Sequence, residues 1–165
     1  MAYAALGDRK MTWKLLQMIN PVNHGNNAET IKQYKVEPYV IAADVYGVKE
    51  HKGRGGWTWY TGSAGWMYQL ILESFIGLKR NGNILTFMPC IPADWPSVKI
   101  RYRYEDTYYN IELMQSQQSQ DGVHHVIDGK EERSDRIALQ NDQVTHEVKI
   151  YLQSKQVPLL ENNPR

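Results

Sequence analysis

The densest chemistry in this chain lies in the stretch 53–78, which opens Gly-Arg-Gly-Gly-Trp-Thr-Trp-Tyr-Thr-Gly-Ser-Ala-Gly-Trp. Thr61, Gly62 and Ser63 stand where an aromatic, glycine-rich loop runs into a helix. A helix start exposes unpaired N–H groups and partial positive charge, so a hydroxyl and flexible glycines beside it make a ready anion site. The same residues equally serve an ordinary helix capped by Ser63 or Thr61 after a tight loop. Trp57, Trp59 and Tyr60 offer flat faces with a polar edge, suited to a ligand ring or to core packing. Glu37, just before Pro38, is either a carboxylate for ligand hydroxyls or a cationic neighbour, or an acid favoured at a helix start.

Other groups invite chemistry and do not carry it. His124, His125 and His146 are not at metal-ligand spacing with a third ligand, and they read as a solvated sheet face. Asp44, Glu73, Asp94 and Asp106 are lone carboxylates on amphipathic segments, and Arg54 and His24 read as loop residues. Cys90 is the only cysteine, which excludes an intramolecular disulfide and a cysteine metal cluster. Met11, Met18 and Met67 read as core fillers.

The elements that must position these groups divide the chain in two. Residues 1–6 read as the last turns of a helix that begins upstream, and 8–19 as a helix capped by Asp8. Its apolar face would be Met11, Leu15, Met18 and Ile19, opposite Lys10, Lys14 and Gln17. Residues 21–27 read as a loop and 28–34 as a short helical turn. A helix over 37–46 follows, with Pro38 in its first turn, and the last helix runs over 63–78. From the Asn81-Gly82 turn onward the pattern has period two, at 84–87, 98–104, 108–113 and 146–152, as in half-buried antiparallel strands. Turn pairs fall at Asp121-Gly122, Asp128-Gly129 and Asn141-Asp142; residues 116–121 read as a mobile loop and 158–165 as a frayed tail. Helices followed by strands make an α+β chain.

With 165 residues, a formal charge of +1 and charges of both signs, the composition is that of a globular segment. It offers no basic face for nucleic acid and no apolar run of membrane length. The N-terminus lacks the pattern of a secretion signal, and with a lone cysteine this fits a cytoplasmic setting.

Four ordered blocks carry a family resemblance. They are Ile19-Asn20-Pro21-Val22-Asn23-His24, Tyr34-Lys35-Val36-Glu37-Pro38-Tyr39-Val40, the run Trp57-Thr58-Trp59-Tyr60-Thr61-Gly62-Ser63-Ala64-Gly65-Trp66, and Met88-Pro89-Cys90-Ile91-Pro92-Ala93-Asp94-Trp95. Together they resemble glycoside hydrolase family 94, the inverting disaccharide and oligosaccharide phosphorylases and the phosphorylase-like domain of cyclic β-1,2-glucan synthases. Their wording is nearer the cyclic glucan synthase branch.

The resemblance implies the last helices of an (α/α)6 catalytic barrel over 1–80, a C-terminal antiparallel β-sandwich over 81–157, and a tail over 158–165. It implies an enzyme parent that cleaves β-glucosides by phosphorolysis, with inorganic phosphate as co-substrate and no other cofactor. Thr61 and Gly62 match the family's phosphate-binding pair; Glu37, Trp57 and Tyr60 are candidate sugar contacts. The family's general acid, an aspartate, and its phosphate-site histidine and arginine lie upstream of the blocks present, so no residue here matches a catalytic role. Partners implied are a β-linked glucooligosaccharide, phosphate and the rest of the barrel, with a possible homodimer and no direct membrane contact of this segment. The competing reading is a stand-alone carbohydrate-binding or structural module without catalysis.

Overall fold

Asp8 opens the first long helix as its composition requires. In the computed structural model, which describes residues 1–59, 62–115 and 124–152, its carboxylate accepts the Met11 N–H at 2.9 Å and caps α2 (Arg9–Ile19). A short α1 (Ala2–Ala5) precedes it across Gly7. Asn20 accepts the Val22 N–H and starts α3 (Pro21–His24), where the sequence reads as a loop; Pro21 takes the first helical turn, where its missing N–H is harmless. Asn27 caps α4 (Ala28–Tyr34), which stops on the left-handed Lys35.

The helix expected over 37–46 does not form. Pro38 and Tyr39 instead occupy the centre of a tight turn closed by the Val40 N–H on the Glu37 carbonyl at 3.1 Å. Proline presets the first central position of such a turn, and the β-branched Val40 and Ile41 that follow disfavour a helix. The strand pair β1 (Asp44–Val45) and β2 (Gly55–Gly56) then closes around a 3₁₀ turn at Lys49–His51.

Gly62, not Ser63, sits at the cap of α5 (Ser63–Gln69), in a left-handed conformation at φ 99°, and Thr61 lies outside the described residues. Ser63 is the first helical residue. The helix changes to π geometry over Leu70–Phe75, ending with the Ile76 N–H on the Ile71 carbonyl at 2.8 Å. It stops short of Leu78 because Gly77 turns left-handed at φ 73° against the backbone of Met88 and Pro89. The returning chain pins this end, with the Met88 N–H on the Gly77 carbonyl and the Cys90 N–H on that of Phe75.

Strands β3 (Leu78–Asn81), β4 (Ile84–Phe87) and β9 (Arg136–Ala138) form one sheet in that order, turning between β3 and β4 at Gly82-Asn83 rather than Asn81-Gly82. The second sheet runs β5-β6-β10-β7-β8, from β5 (Ser97–Tyr104), β6 (Thr107–Gln115), β7 (His124–Ile127), β8 (Lys130–Glu132) and β10 (Thr145–Leu152). Antiparallel pairing throughout is corrected at one place: β10 lies parallel to β6, Val148 against Ile111. The chain leaves β6, forms β7 and β8 at the far edge and β9 in the other sheet, and only then inserts β10, so it re-enters beside β6 in the same direction.

Alternation along β6 and β10 buries Tyr109, Ile111, Leu113, Val148, Ile150 and Leu152 against Leu85, Phe87 and Ile137 of the three-stranded sheet. Leu16 and Phe75 join the same core, so the helices and both sheets share it. Trp13 stacks on Phe75 at 5.6 Å, Trp95 meets both rings edge-on, and the Cys90 thiol donates to the buried Thr12 hydroxyl. The buried line of α2 is thus Thr12 and Leu16, while Leu15, Met18 and Ile19 of the expected apolar face are exposed; Met18 is not a core filler.

Two of the histidines, His125 and His146, also depart from a solvated face. His125 is 1% exposed, with Nδ1 2.9 Å from the Ser134 carbonyl. The His146 side chain is 16% exposed and lies between two carboxylates. The turn at 121–122, the loop 116–121 and the tail 158–165 lie outside the described residues. Among those described, no helix is long and apolar enough to cross a membrane.

Candidate functional site

Two blocks far apart in sequence meet in space. The Trp59 indole Nε1–H donates to the Glu37 carboxylate at 3.0 Å, and the Tyr39 ring meets Trp59 edge-on at 6.0 Å between centroids. Glu37 is held below the usual carboxylate range, first by a hydrogen bond from its own backbone N–H and then by the Trp59 indole. The tight turn at Pro38 makes the meeting possible, because it sets Glu37 and Tyr39 near each other instead of along a helix face.

The loop bearing Trp59 is anchored from below. Gly55 and Gly56 are buried, and a Cβ on either would run into Val36 and Tyr34, or Asp44 and Tyr46. The Tyr46 N–H donates to the Arg54 carbonyl, the Gly53 N–H to the Tyr46 carbonyl, and the Ala43 N–H to that of Gly56. Above this base Trp57 and Trp59 take left-handed backbone angles, φ 48° and 62°, a costly conformation for bulky residues that needs fixed surroundings. Both rings are about two-thirds exposed, at 69% and 65%. Gly62, which follows, lines an open groove with Gly65, Trp66, Tyr68 and Gln69 at the head of α5.

Of the residues singled out from sequence, Glu37 and Trp59 are in contact, Trp57 lies two residues from that contact, and Gly62 heads the next helix. Tyr60 and Thr61 lie outside the described residues. Sequence reasoning missed Tyr39, whose place two residues after Glu37 was the available signal, and Trp66 and Tyr68 as groove walls. His24, expected in a loop, is instead the last residue of α3, with Nε2 2.7 Å from the Met18 carbonyl and its ring stacked on Tyr34. Arg54, Asp44, Glu73 and Asp94 are exposed, and Asp106 pairs with Arg103 at 3.3 Å. Among the described residues no group of three or more His, Cys, Asp or Glu could hold a metal ion.

Residues 1–77 match the family model of the glycosyl hydrolase 94 superfamily, catalytic domain. The chain is 39% identical over 123 residues, 74% of its length, to the cyclic beta-(1,2)-glucan synthase NdvB of Rhizobium meliloti, of which it covers 4%. It is 28% identical to the solabiose phosphorylase of Paenibacillus borealis over 69% of this chain and 15% of that protein. For the N,N'-diacetylchitobiose phosphorylase of Vibrio proteolyticus the identity is 30%, over 65% of this chain and 13% of that protein. The chain therefore spans a small part, 4% to 15%, of the length of these relatives. The catalytic-domain match ends at residue 77, where the helices give way to strands, and it makes the segment 1–77 a member of the glycosyl hydrolase 94 superfamily.

Proposed function

We propose that this chain is the C-terminal part of a carbohydrate-active phosphorylase or of the phosphorylase-like domain of a cyclic β-1,2-glucan synthase. It supplies the loop that receives phosphate and one wall of the sugar site. Residues 1–80 are closing helices of an (α/α)6 barrel and 81–157 a β-sandwich packed on it, with 158–165 a tail. The observation that carries this reading is the Glu37–Trp59 bond, which joins the Glu-Pro-Tyr block to the aromatic loop directly ahead of Gly62.

In this scheme inorganic phosphate is the co-substrate, and no other cofactor takes part. A phosphate oxygen attacks the anomeric carbon from the face opposite the leaving sugar. The glycosidic oxygen leaves with a proton from the general acid, and the product is the inverted sugar 1-phosphate. Thr61 donates its hydroxyl, and backbone N–H groups at Gly62 donate at the head of α5, to phosphate oxygens. Glu37 accepts from sugar hydroxyls, while Trp57 and Tyr60 offer ring faces to the sugar. The general acid and the cationic phosphate ligands come from the rest of the barrel, so no residue of this chain is catalytic. The substrate is a β-linked glucooligosaccharide and the setting cytoplasmic, with the parent tethered to the inner membrane if it is a cyclic glucan synthase.

Release of glucose 1-phosphate from cellobiose and sophorose-type oligosaccharides tests this. The chain alone is expected to give none, because an absent general acid removes a factor of about 10²–10⁴ and the site lacks its charged partners. Reconstituted with the remaining barrel it is expected to turn over, and Thr61→Val in that complex to lower the rate about 10²-fold. Turnover by the chain alone, abolished by Thr61→Val, would refute the assignment of roles. The exposed Trp57, Trp59 and Trp66 favour a second reading, a stand-alone carbohydrate-binding module. Isothermal titration separates the two, since that module gives saturable heat with β-1,2- or β-1,4-glucooligosaccharides without turnover.

A further inference from the structure

Remote from the aromatic loop, His146 at the start of β10 has carboxylates on both ring nitrogens. Nδ1 lies 2.6 Å from Asp128 Oδ2, on the turn between β7 and β8. Nε2 lies 3.1 Å from Asp142 Oδ2, on the connection that brings the chain from β9 in one sheet to β10 in the other. A carboxylate only accepts, so both contacts are hydrogen bonds when the imidazole carries both protons. Among the described residues no lysine or arginine pairs with either aspartate, which leaves the imidazolium as the cation between them. The other titratable groups nearby are the Tyr109 phenol of β6, whose ring stacks on His146 at 4.9 Å, and Glu147, whose carboxylate accepts from Asn110.

We propose that His146 is a proton-operated latch: as imidazolium it ties the β7–β8 turn and the sheet-crossing connection to β10, and loss of its proton releases both carboxylates. The released groups have work of their own. Asp142 Oδ1 accepts the Val144 N–H at 3.1 Å, and Asp128 Oδ1 accepts the Glu147 N–H at 2.9 Å. With a neutral imidazole one carboxylate faces a lone pair, the two aspartates repel, and these secondary bonds loosen. The root of the connection has a further anchor that does not depend on the imidazole: Thr107 Oγ accepts the Asp142 and Gln143 N–H groups at 2.9 and 2.8 Å, and its hydroxyl lies 3.2 Å from Asp142 Oδ1. Tyr109 Oη exchanges hydrogen bonds with the Gln140 backbone.

The pH window follows from the directions of the shifts. His146 stands above its ordinary 6.5, chiefly through Asp128, with burial opposing and Asp142 adding to the rise. Its contribution is complete below 6.5 and is lost as pH rises through the raised value. Asp128 is held below its ordinary 3.8 chiefly by His146, and Asp142 chiefly by the Val144 N–H. Their contributions are present above 3.8 and are lost as pH falls through the lowered values. The latch is therefore closed in mildly acidic solution and opens on the alkaline side.

Residue-resolved hydrogen exchange of the full chain, corrected for intrinsic rates, tests it, with the His146 titration followed by NMR. Between about pH 5.5 and 8.5, protection of the Val144 and Glu147 amides is expected to fall about tenfold, the scale of one charge-assisted hydrogen bond. The Asp142 and Gln143 amides on Thr107 are expected to change less than about threefold. Asp142→Asn is expected to lower the His146 midpoint, and His146→Gln to remove the pH dependence at Val144 and Glu147. A wild-type His146 midpoint at or below 6.5, or an equal loss at all four amides, overturns the latch. Both readings use the unsubstituted protein and decide the matter even if a variant does not fold.

Discussion

Replacing Phe75 by alanine tests whether the helices and the sheets hold each other. Phe75 is 4% exposed at the end of the π segment, stacked on Trp13 at 5.6 Å and edge-on to Trp95 at 5.8 Å. Its truncation removes a buried ring from the core that also contains Leu16, Leu85 and Ile111. A buried Phe→Ala change costs about 3–5 kcal/mol, and each lost aromatic pair contributes about 0.5–1.5 kcal/mol beyond area. The expected loss is about 4 kcal/mol, a large part of the roughly 5–15 kcal/mol of a typical domain. Phe75→Leu keeps most of the volume and is expected to cost only about 1.5 kcal/mol. Urea unfolding followed both by far-ultraviolet circular dichroism and by tryptophan fluorescence should move to lower midpoint in step, because helix and sheet share the core. A loss below about 1 kcal/mol for Phe75→Ala would refute the reasoning. So would a strand transition that stays put while the helical one shifts, since the shared core would then not be one cooperative unit.

Gly77→Ala is expected to lose at least about 1–3 kcal/mol from its left-handed backbone angle, plus the clash with Met88, measured by urea midpoint. Thr107→Val leaves the Asp142 and Gln143 amides without their acceptor and should cost about 1–3 kcal/mol, with exchange protection lost at those two amides. Glu37 has a lowered pKa, so its bond to Trp59 is expected to persist down through 4.5 and to break below it; a fluorescence step there, absent in Glu37→Gln, checks this. Met18→Lys lies on an exposed position and is expected to change the stability of this chain by no more than about 0.5 kcal/mol. Under the proposed function the same substitution should block reconstitution with the rest of the barrel, read as lost glucose 1-phosphate release.

Much of the layout was legible in sequence where one local rule acts alone. Asp8 before an apolar repeat gave its helix, and the period-two runs at 84–87, 98–104, 108–113 and 146–152 are all strands. The failures occur where two rules compete. Pro38 suits both a helix start and a tight turn, and the β-branched residues after it tipped the balance to the turn. That error concealed the site, since only the turn brings Glu37 and Tyr39 onto Trp59. Nor does strand periodicity tell which strands are neighbours, so the parallel β6–β10 pair was invisible, as were the short β7, β8 and β9. His146 looked solvated because its partners are 18 and 4 positions away on elements whose arrangement depends on that pairing.

The most instructive case is α2, where the apolar pattern has two lines and periodicity cannot say which one the protein covers. Thr12 and Leu16, with Trp13 beside them, take the buried side because Phe75, Cys90 and Trp95 stand there. Leu15, Met18 and Ile19, the stronger apolar stripe, are left in solvent with Val22 and Ile31. A helix apolar on two sides fits a position between two layers. Here one layer is the sheet-bearing core, and under the function proposed above the other is the remainder of the barrel. The Met18→Lys experiment separates these layers: an unchanged stability with lost reconstitution assigns the outer stripe to the barrel. A destabilised chain would instead mean that the stripe already packs within these residues and has no second layer to meet.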